Sequence, residues 1–139
     1  MDLRRPVLVA FAGLLVAALA SGCASVGSAF LPAEDAVLKR AQARWDALVE
    51  RDWKAAYAYM TPGYRAVVPL KRYSNQFSGP AQWDSAKAKS AKCEETRCVV
   101  NVEISYRLLL PGHTNRVDST HVEEVWVREE GQWYKFEPL

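Results

Sequence analysis

The apolar residues of this 139-residue chain change their spacing near residue 80, and this change constrains the fold more than any other feature. Before that point the apolar side chains recur at every third or fourth position, as on one face of a helix. After it they alternate with polar side chains, as on one face of a strand. Helices followed by strands predict an α+β domain, with the helices packed on one face of a curved antiparallel sheet.

The helical half of the chain contains two to three predicted helices. Pro32 opens the first and longest helix, because its missing N–H costs nothing at the first helical position. Asp52 is a suitable N-cap for a second, shorter helix that ends at Thr61-Pro62-Gly63. Residues 64–68 are expected to be irregular, and Leu70 to Phe77 form a third short helix. The polar side of the first helix is expected to hold Lys39, Arg40, Arg44, Asp46 and Glu50.

The second half predicts about four strands. Gln82 to Lys92 is rich in Ala and Lys, which is typical of an edge strand. Cys98 to Leu110 alternates most clearly and is followed by a long strand over Val117 to Glu129. Glu130-Gly131 then predicts a tight hairpin into a last strand over Gln132 to Glu137. The inward face of the clearest strand is expected to carry Val100, Val102, Ile104, Tyr106 and Leu108.

Residues 1–22 have the three parts of a bacterial export signal. Arg4 and Arg5 supply the positive start, Val7 to Ala20 carries no charge, and Ala20-Ser21-Gly22 are the small residues of a cleavage site. The apolar stretch is shorter than the roughly 20 residues that a permanent membrane-spanning helix needs. We therefore interpret the segment as a signal that directs export.

Cys23 follows these small residues, and Leu19-Ala20-Ser21-Gly22-Cys23 resembles the lipobox of bacterial lipoproteins. The resemblance implies that Cys23 is acylated, for example with palmitate, and begins the mature protein. Ala24 stands where inner-membrane lipoproteins tend to have Asp, which favours the outer membrane facing the periplasm. An ordinary cleaved signal with an unmodified cysteine is the alternative. The predicted division is a signal peptide over 1–22, a lipidated tether over 23–33 and one domain over 34–139.

Composition limits what the exported chain binds. Removing Arg4, Arg5 and Asp2 from the 18 basic and 16 acidic residues leaves 16 and 15, so the charge predicts no nucleic-acid partner. Neither His113 nor His121 has carboxylates at a metal-binding spacing, and we expect no metal site. The chain contains no phosphate-binding loop, nucleophile motif or dinucleotide fingerprint, and we expect no cofactor.

Cys93 and Cys98 are the cysteines of the predicted domain. An exported chain reaches an oxidising compartment, where disulfides persist. The two cysteines flank a short loop between strand-like runs, so a hairpin would bring them face to face. We predict a disulfide between them. The alternatives are a redox pair or half of a metal site, but the spacing is not Cys-x-x-Cys and no further ligands lie nearby.

Several local motifs of residues 34–139 resemble those of one superfamily. The resemblance rests on Trp45, on Asp52-Trp53-Lys54-Ala55-Ala56-Tyr57, on Thr61-Pro62-Gly63-Tyr64-Arg65, on Glu124-Val125-Trp126-Val127-Arg128 and on Gly131-Gln132-Trp133-Tyr134. They are similar to motifs of the nuclear-transport-factor-two-like superfamily, the cone-shaped fold of ketosteroid isomerase and polyketide cyclases. That resemblance implies a cone that holds an active site, binds a ligand or packs shut. Members often have a strand pair where this chain has only residues 61–69.

An enzyme of isomerase or cyclase type would need a base and a hydrogen-bond donor inside the cone. Glu103 and His121 are the candidate bases, but Glu103 lies opposite the apolar set of its strand and is expected to face solvent. His121 is expected to be an ordinary exposed or satisfied histidine. The enzyme hypothesis is therefore the alternative rather than the leading one.

The leading hypothesis is an envelope lipoprotein whose non-enzymatic domain binds a protein partner or a small apolar ligand. A homodimer is a further expectation, because Val99, Leu109 and Val125 interrupt an otherwise polar outer face of the sheet. The membrane itself is a partner through Cys23. The aromatic residues that either fill the core or line a pocket are Trp45, Trp53, Tyr57, Tyr73, Tyr106 and Trp126.

Overall fold

A computed structural model describes residues 32–112 and 116–139. The predicted signal peptide, the tether up to residue 31, Cys23 and His113 lie outside the described residues. The described chain is α+β, as predicted: short helices come first and a curled antiparallel sheet follows. The helices are α1 (Ala33–Val49), α2 (Trp53–Tyr57), α3 (Pro62–Val67) and α4 (Leu70–Asn75), and the strands are β1 (Ala81–Cys93), β2 (Arg97–Leu108), β3 (Val117–Glu129) and β4 (Gln132–Lys135).

Two of the described helices, α2 and α3, begin at residues whose side chains cap them, whereas α1 and α4 follow Pro32 and Pro69 without a side-chain cap. The Asp52 carboxylate accepts a hydrogen bond from the Ala55 N–H, which confirms Asp52 as the N-cap of α2. Thr61 caps α3 in the same way, because its hydroxyl oxygen accepts from the Tyr64 N–H. The prediction that residues 64–68 are irregular was therefore wrong, and the described residues contain four helices where two to three were predicted. Thr61-Pro62 was predicted only to end the second helix, but these two residues also begin α3.

The sheet is a meander in which each strand pairs with the next one along the chain. β1 is an edge strand, as predicted, and two shifts of its register against β2 bend it. Glu130 and Gly131 both have positive φ, at 50° and 79°. These angles suit the tight turn predicted between β3 and β4.

α1 crosses the inner face of the sheet antiparallel to β1. The Gln42 side chain donates to the Ala86 carbonyl at 3.0 Å, and its oxygen accepts from the Ala88 N–H at 2.9 Å. Three residues later along α1, the Trp45 ring contacts the Trp83 ring with centroids 5.3 Å apart. The end of α1 therefore lies beside the start of β1, and its beginning lies toward Cys93.

The core lies between the helices and the inner face of the sheet. Val100, Val102 and Ile104 of β2 are buried, as predicted. Leu108 was predicted to join them but is 36% exposed, because β2 ends there. Arg44 was expected on the polar side of α1, yet it is 5% exposed. The remaining buried apolar residues are Val37, Ala41, Trp45, Ala47, Leu48, Ala56, Met60, Tyr64, Val68, Tyr73, Cys98, Trp126 and Trp133.

Candidate functional site

Four side chains from α1, α4 and β3 meet inside the domain and form what we term the buried polar cluster: Arg44, Tyr73, Glu124 and Trp126. Arg44 Nη1 donates to Glu124 Oε1 at 2.7 Å, and Arg44 Nη2 donates to the Tyr73 hydroxyl at 3.3 Å. The Trp126 indole N–H donates to the second carboxylate oxygen of Glu124 at 3.1 Å. Arg44 and Glu124 are each 5% exposed, so water does not screen their ion pair.

The local sequence explains how these groups reach the interior. Arg44 lies between Ala41 and Leu48 on the buried stripe of α1, and Glu124 and Trp126 are alternate residues on the inward face of β3. Burial raises the pKa of the Tyr73 phenol, and the nearby Arg44 charge opposes that rise only in part. Tyr73 therefore stays protonated at neutral pH.

The three depressions found on residues 32–112 and 116–139 lie away from the buried polar cluster. A cleft at the end of α1, lined in part by Leu48, Trp53 and Phe77, holds about 20 Å³. That volume is enough for about one water molecule. None of the four cluster residues lines this cleft or the two surface grooves described below. Within the cluster, both carboxylate oxygens of Glu124 accept a hydrogen bond, one from Arg44 Nη1 and one from the Trp126 indole, and Arg44 Nη2 donates to the Tyr73 hydroxyl.

Two N–H groups near the cluster are exceptions to this pairing. Within residues 32–112 and 116–139, Arg44 Nε and the indole N–H of Trp45 have no hydrogen-bond partner. The Arg44 guanidinium lies 5.7 Å from the centre of the Trp45 ring. This cation–π contact stabilises the buried guanidinium charge but gives neither N–H group an acceptor.

The aromatic residues expected either to fill the core or to line a pocket lie mainly in the core. Trp45, Tyr73 and Trp126 are buried, and Trp126 has no exposed surface. Tyr57 is half-buried, and its hydroxyl donates to the Val68 carbonyl at 2.5 Å. Tyr106 is half-buried near the end of β2. Among the six, only Trp53 lines the surface depressions described here.

The two candidate bases lie on the outer face of the sheet. The Glu103 carboxylate is 3.6 Å from Lys89 Nζ and 3.8 Å from His121 Nε2, and all three side chains are more than one third exposed. The other ring nitrogen of His121 lies 3.2 Å from the Asn101 side-chain oxygen. The structure thus brings Glu103 and His121 together, but on the side of the sheet away from the helices.

A surface groove lies where α1, α2 and α4 meet, and we term it the tryptophan groove. It has a volume of about 460 Å³ and a mainly apolar lining. Trp53 and Leu70 supply its apolar surface, and the Trp53 ring stacks on Phe77 with centroids 5.3 Å apart. Its other lining residues are Arg51, Asp52, Lys54, Lys71 and Ser74.

The charge of the tryptophan groove is positive, because three cations face one carboxylate. That carboxylate, Asp52, already caps α2. Among the described residues, no carboxylate lies within ion-pair distance of Arg51, Lys54 or Lys71. The groove therefore offers an apolar surface beside cations that are free to meet an anion.

Arg51 reaches this groove through an unusual backbone conformation. It ends α1 with φ of 61°, a left-handed conformation that normally favours glycine. The Arg51 N–H donates to the Leu48 carbonyl, and the Asp52 N–H donates to the Ala47 carbonyl. A side chain at this position costs about 1 kcal/mol relative to glycine. The chain thus keeps a cation at the groove despite a backbone penalty.

A second groove near the C-terminus has the opposite charge. It holds about 390 Å³ and is lined in part by Phe136, Glu129 and Glu137. Lys135 Nζ pairs with the Glu137 carboxylate, so one of the two acids already has a partner.

Cys93 and Cys98 lie at disulfide distance, with their sulfur atoms 1.99 Å apart. They face each other across the β1–β2 pair, where Cys93 is the register partner of Cys98. Cys98 is fully buried. The pair closes the end of the sheet opposite to Leu108 and therefore fixes the register of the two strands there.

No group of three metal-binding side chains occurs in the part of the chain that the structure describes. None of the helices in that part is long and apolar enough to cross a membrane.

Comparison with known proteins gives the fold but no family. No protein-family model matches the chain, and no curated protein matches it. A SEC-C motif containing protein from Rhodopseudomonas palustris is similar in structure, with a TM-score of 0.53 and 15% identity over 68% of this chain and 70% of that one. A SEC-C motif containing protein from Psychrobacter arcticus gives a TM-score of 0.52 and 14% identity over 68% of this chain and 55% of that one. At such identities the likeness shows a shared fold alone.

The assignment to the nuclear-transport-factor-two-like superfamily is therefore wrong, because the similar solved structures named above are SEC-C motif containing proteins. The motifs behind that resemblance serve general packing. Trp45 and Trp126 fill the core, and Gly131 makes a hairpin turn. Any small α+β domain needs such residues, so they do not discriminate between families. The acylation of Cys23 is a separate expectation that lies outside the described residues.

Sequence reasoning missed Arg44, Glu124 and Arg51 as notable residues. A signal was present for Arg44, which stands within the apolar stripe of α1. Glu124 has no such signal, because its face of β3 also carries Asp118 and Thr120. No sequence signal marks Arg51, because a non-glycine residue at a left-handed helix end is uncommon.

Proposed function

We propose that this protein is held at the outer membrane through a lipid on Cys23, and that its domain is a binding module rather than an enzyme. The tryptophan groove is the binding surface in this proposal. Its occupant is an apolar group that carries negative charge, presented by a protein partner or by a small ligand. The observation that carries the proposal is the apolar groove of about 460 Å³ with cations along its side.

The contrast with the interior supports the choice of this surface. The buried polar cluster pairs its carboxylate with two donors, and no cavity described here reaches it. Trp53, in contrast, is half-buried and held in place by stacking on Phe77. A fixed aromatic surface loses little conformational freedom when a ligand binds. The enzyme alternative has no specific observation in its favour.

The groove is tested by titrating the purified protein with dodecyl phosphate below its micelle concentration. Binding is followed by tryptophan fluorescence and by shifts of the Trp53 indole signal in NMR spectra. The variant Lys71→Glu is expected to weaken binding by about tenfold, since two units of charge change beside the ligand. The matched control is Lys87→Glu, which reverses an exposed lysine on β1 far from the groove. Equal weakening by both variants would show non-specific attraction and contradict the proposal.

The membrane anchor is tested separately. Cys23→Ser is expected to abolish incorporation of radioactive palmitate and to release the protein from the membrane fraction. A chain that stays in the membrane without palmitate would contradict acylation as the means of attachment. The two experiments are independent, because Lys71 and Cys23 are changed in different variants.

A further inference from the structure

The end of the domain beyond β2 exposes several large apolar side chains, and we term it the leucine end: Leu108, Leu109, Leu110 and Val117. Leu109 is 55% exposed and Val117 is 53% exposed. Leu108 and Leu110 are 36% and 41% exposed. Four exposed branched apolar residues so close together are unusual on a protein that meets only water.

Backbone pairing places three of these four residues. The Leu109 N–H donates to the Pro80 carbonyl at 2.8 Å, and Leu108 is the register partner of Ala81. Val117 is the register partner of Arg107 on the neighbouring strand. Leu108 and Val117 therefore lie at the end of the sheet, and Leu109 and Leu110 follow directly after β2. Leu109 was expected to lie with Val99 and Val125 on the outer face of the sheet. That expectation was wrong, because β2 ends before Leu109.

The leucine end is continuous with the tryptophan groove. Ala81, the register partner of Leu108, lines the small cleft at the end of α1 together with Arg51 and Trp53. Arg51 and Trp53 also line the tryptophan groove. One end of the domain thus combines exposed leucines, a half-buried tryptophan and the three cations of the groove.

Charge and chemistry together indicate a lipid bilayer as the occupant. Leucine side chains enter the hydrocarbon region, tryptophan lies at the headgroup level, and Lys and Arg meet anionic headgroups. Arg107 and Arg116 are paired with Asp84 and Asp118, so the leucine end is close to neutral in charge. The cations free to meet lipid phosphates lie beside it, in the groove. The apolar leucine end would thus enter the hydrocarbon layer, and the cations of the tryptophan groove would meet the headgroup layer.

The length of the chain before α1 permits such a contact. α1 has 17 residues and is about 25 Å long. Its beginning lies toward Cys93, at the opposite end of the domain from the leucines. Residues 23 to 32 reach at most about 30 Å when fully extended. A chain anchored at Cys23 can therefore lay the domain along the membrane and bring the leucine end to the same surface.

We propose that the leucine end is a second contact between this domain and an anionic lipid bilayer, in addition to the lipid on Cys23. The reach argument rests on the proposed membrane attachment, whereas the apolar and cationic surface does not. In this arrangement the bilayer covers four apolar side chains that are otherwise exposed to water. The domain is then oriented on the membrane rather than free to swing on its tether.

The test places a fluorescent thiol label at the leucine end of the full chain. Leu109→Cys is purified from membranes, labelled with a nitrobenzoxadiazole maleimide and reconstituted in vesicles of phosphatidylcholine with phosphatidylglycerol. Iodide in the water quenches every label that it reaches. We expect strong loss of iodide quenching and a blue-shifted emission at position 109 in these vesicles. Both effects are expected to weaken in vesicles of phosphatidylcholine alone.

Phe136→Cys is the matched control, because Phe136 is 44% exposed and lies at the other end of the sheet. Its label is expected to stay accessible to iodide in both kinds of vesicle. Val117→Cys provides a second reporter in case Leu109→Cys folds poorly. Adding Lys54→Glu and Lys71→Glu to the labelled chain is expected to restore quenching at position 109.

Each other outcome has a definite meaning. Equal quenching at 109 and 136 in a chain that remains on the vesicles would overturn the second contact and leave the anchor intact. Two labels per chain, or loss of the chain from vesicles, would show that Cys23 is not acylated and contradict the proposed attachment. Protection that depends on the number of chains per vesicle, and not on lipid charge, would identify a second copy as the occupant and overturn the bilayer proposal.

Discussion

The interior of this domain and its tryptophan groove both contain cations, but these cations have different surroundings. In the interior, Arg44 is 5% exposed and contacts Glu124 and Tyr73. At the tryptophan groove, Arg51, Lys54 and Lys71 lie beside apolar side chains, and within the described chain no carboxylate lies within ion-pair distance of them. A cation paired inside a protein stabilises one conformation, whereas a cation next to exposed apolar surface remains available for a partner. The chain thus separates a cation that is paired inside the fold from cations that remain exposed at the groove.

The largest effect is expected from breaking the buried ion pair. Glu124→Gln keeps the size of the side chain but leaves the buried Arg44 charge without its counter-charge. The free energy of unfolding is expected to fall by about 3–5 kcal/mol, measured by urea denaturation. Replacing both partners, with Arg44→Met and Glu124→Leu, is expected to recover most of that loss because no charge is then left unpaired.

Glu103→Gln is the control for that prediction. It removes a carboxylate that pairs with Lys89 and His121 on the exposed face of the sheet. The free energy of unfolding is expected to change by less than about 1 kcal/mol. Equal effects of Glu103→Gln and Glu124→Gln would mean that water reaches the interior. The buried ion pair would then contribute no more to stability than the exposed one.

Removing the Cys93–Cys98 bond is expected to have an intermediate effect. The bond closes a loop of only a few residues, so Cys93→Ala with Cys98→Ala is expected to lower the free energy of unfolding by about 2 kcal/mol. Differential scanning calorimetry measures the change, and reduction of the wild type with dithiothreitol should reproduce it. A much larger loss would show that this end of the sheet depends on the bond for its folding.

A smaller effect is expected at Tyr73. Tyr73→Phe removes the hydroxyl that accepts from Arg44 and is expected to cost about 1 kcal/mol at neutral pH. Burial raises the pKa of this phenol in the folded state above its value in the unfolded chain. The unfolded chain therefore loses this proton first as the pH rises, and the native state loses stability above about pH 10.

The pH dependence separates this role from simple packing. Urea denaturation between neutral pH and pH values above the ordinary tyrosine pKa should show a steeper loss of stability in the wild type than in Tyr73→Phe. Parallel curves for the two proteins would place the Tyr73 phenol in contact with water. Tyr64→Phe is the comparison variant, since its ring also packs against Tyr73 but its hydroxyl accepts from Gln76 rather than from Arg44.

The smallest effect on stability is expected from exposed residues of the tryptophan groove and the leucine end. Lys71→Glu and Leu109→Ser change exposed side chains, so each is expected to alter the free energy of unfolding by no more than about 0.5 kcal/mol. Their losses in dodecyl phosphate binding and in membrane contact would then reflect the surface alone. A loss of stability close to that of Glu124→Gln would show that this end also supports the fold, and the division between the two regions would break down.

The sequence by itself determined the α+β class, the antiparallel strands and the tight turn at Glu130-Gly131. These features follow from local rules: apolar spacing sets the period of each element, and a few capping and turn residues set its ends. The same local rules wrongly predicted residues 64–68 to be irregular, because Thr61-Pro62 both follows the end of α2 and begins α3. They also suggested a family from motifs that mainly fill a core and turn a chain.

Only the tertiary structure decided which charged residues lie inside and which surface is open. Arg44 was assigned to the polar side of α1 because a lone charge is rarely buried, and its partner Glu124 lies 80 positions away. The leucine end likewise depends on where β2 stops and on how Ala81 joins it to the tryptophan groove. Burial is a property of residues brought together by folding across long sequence separations, so the spacing of residues along one segment does not reveal it.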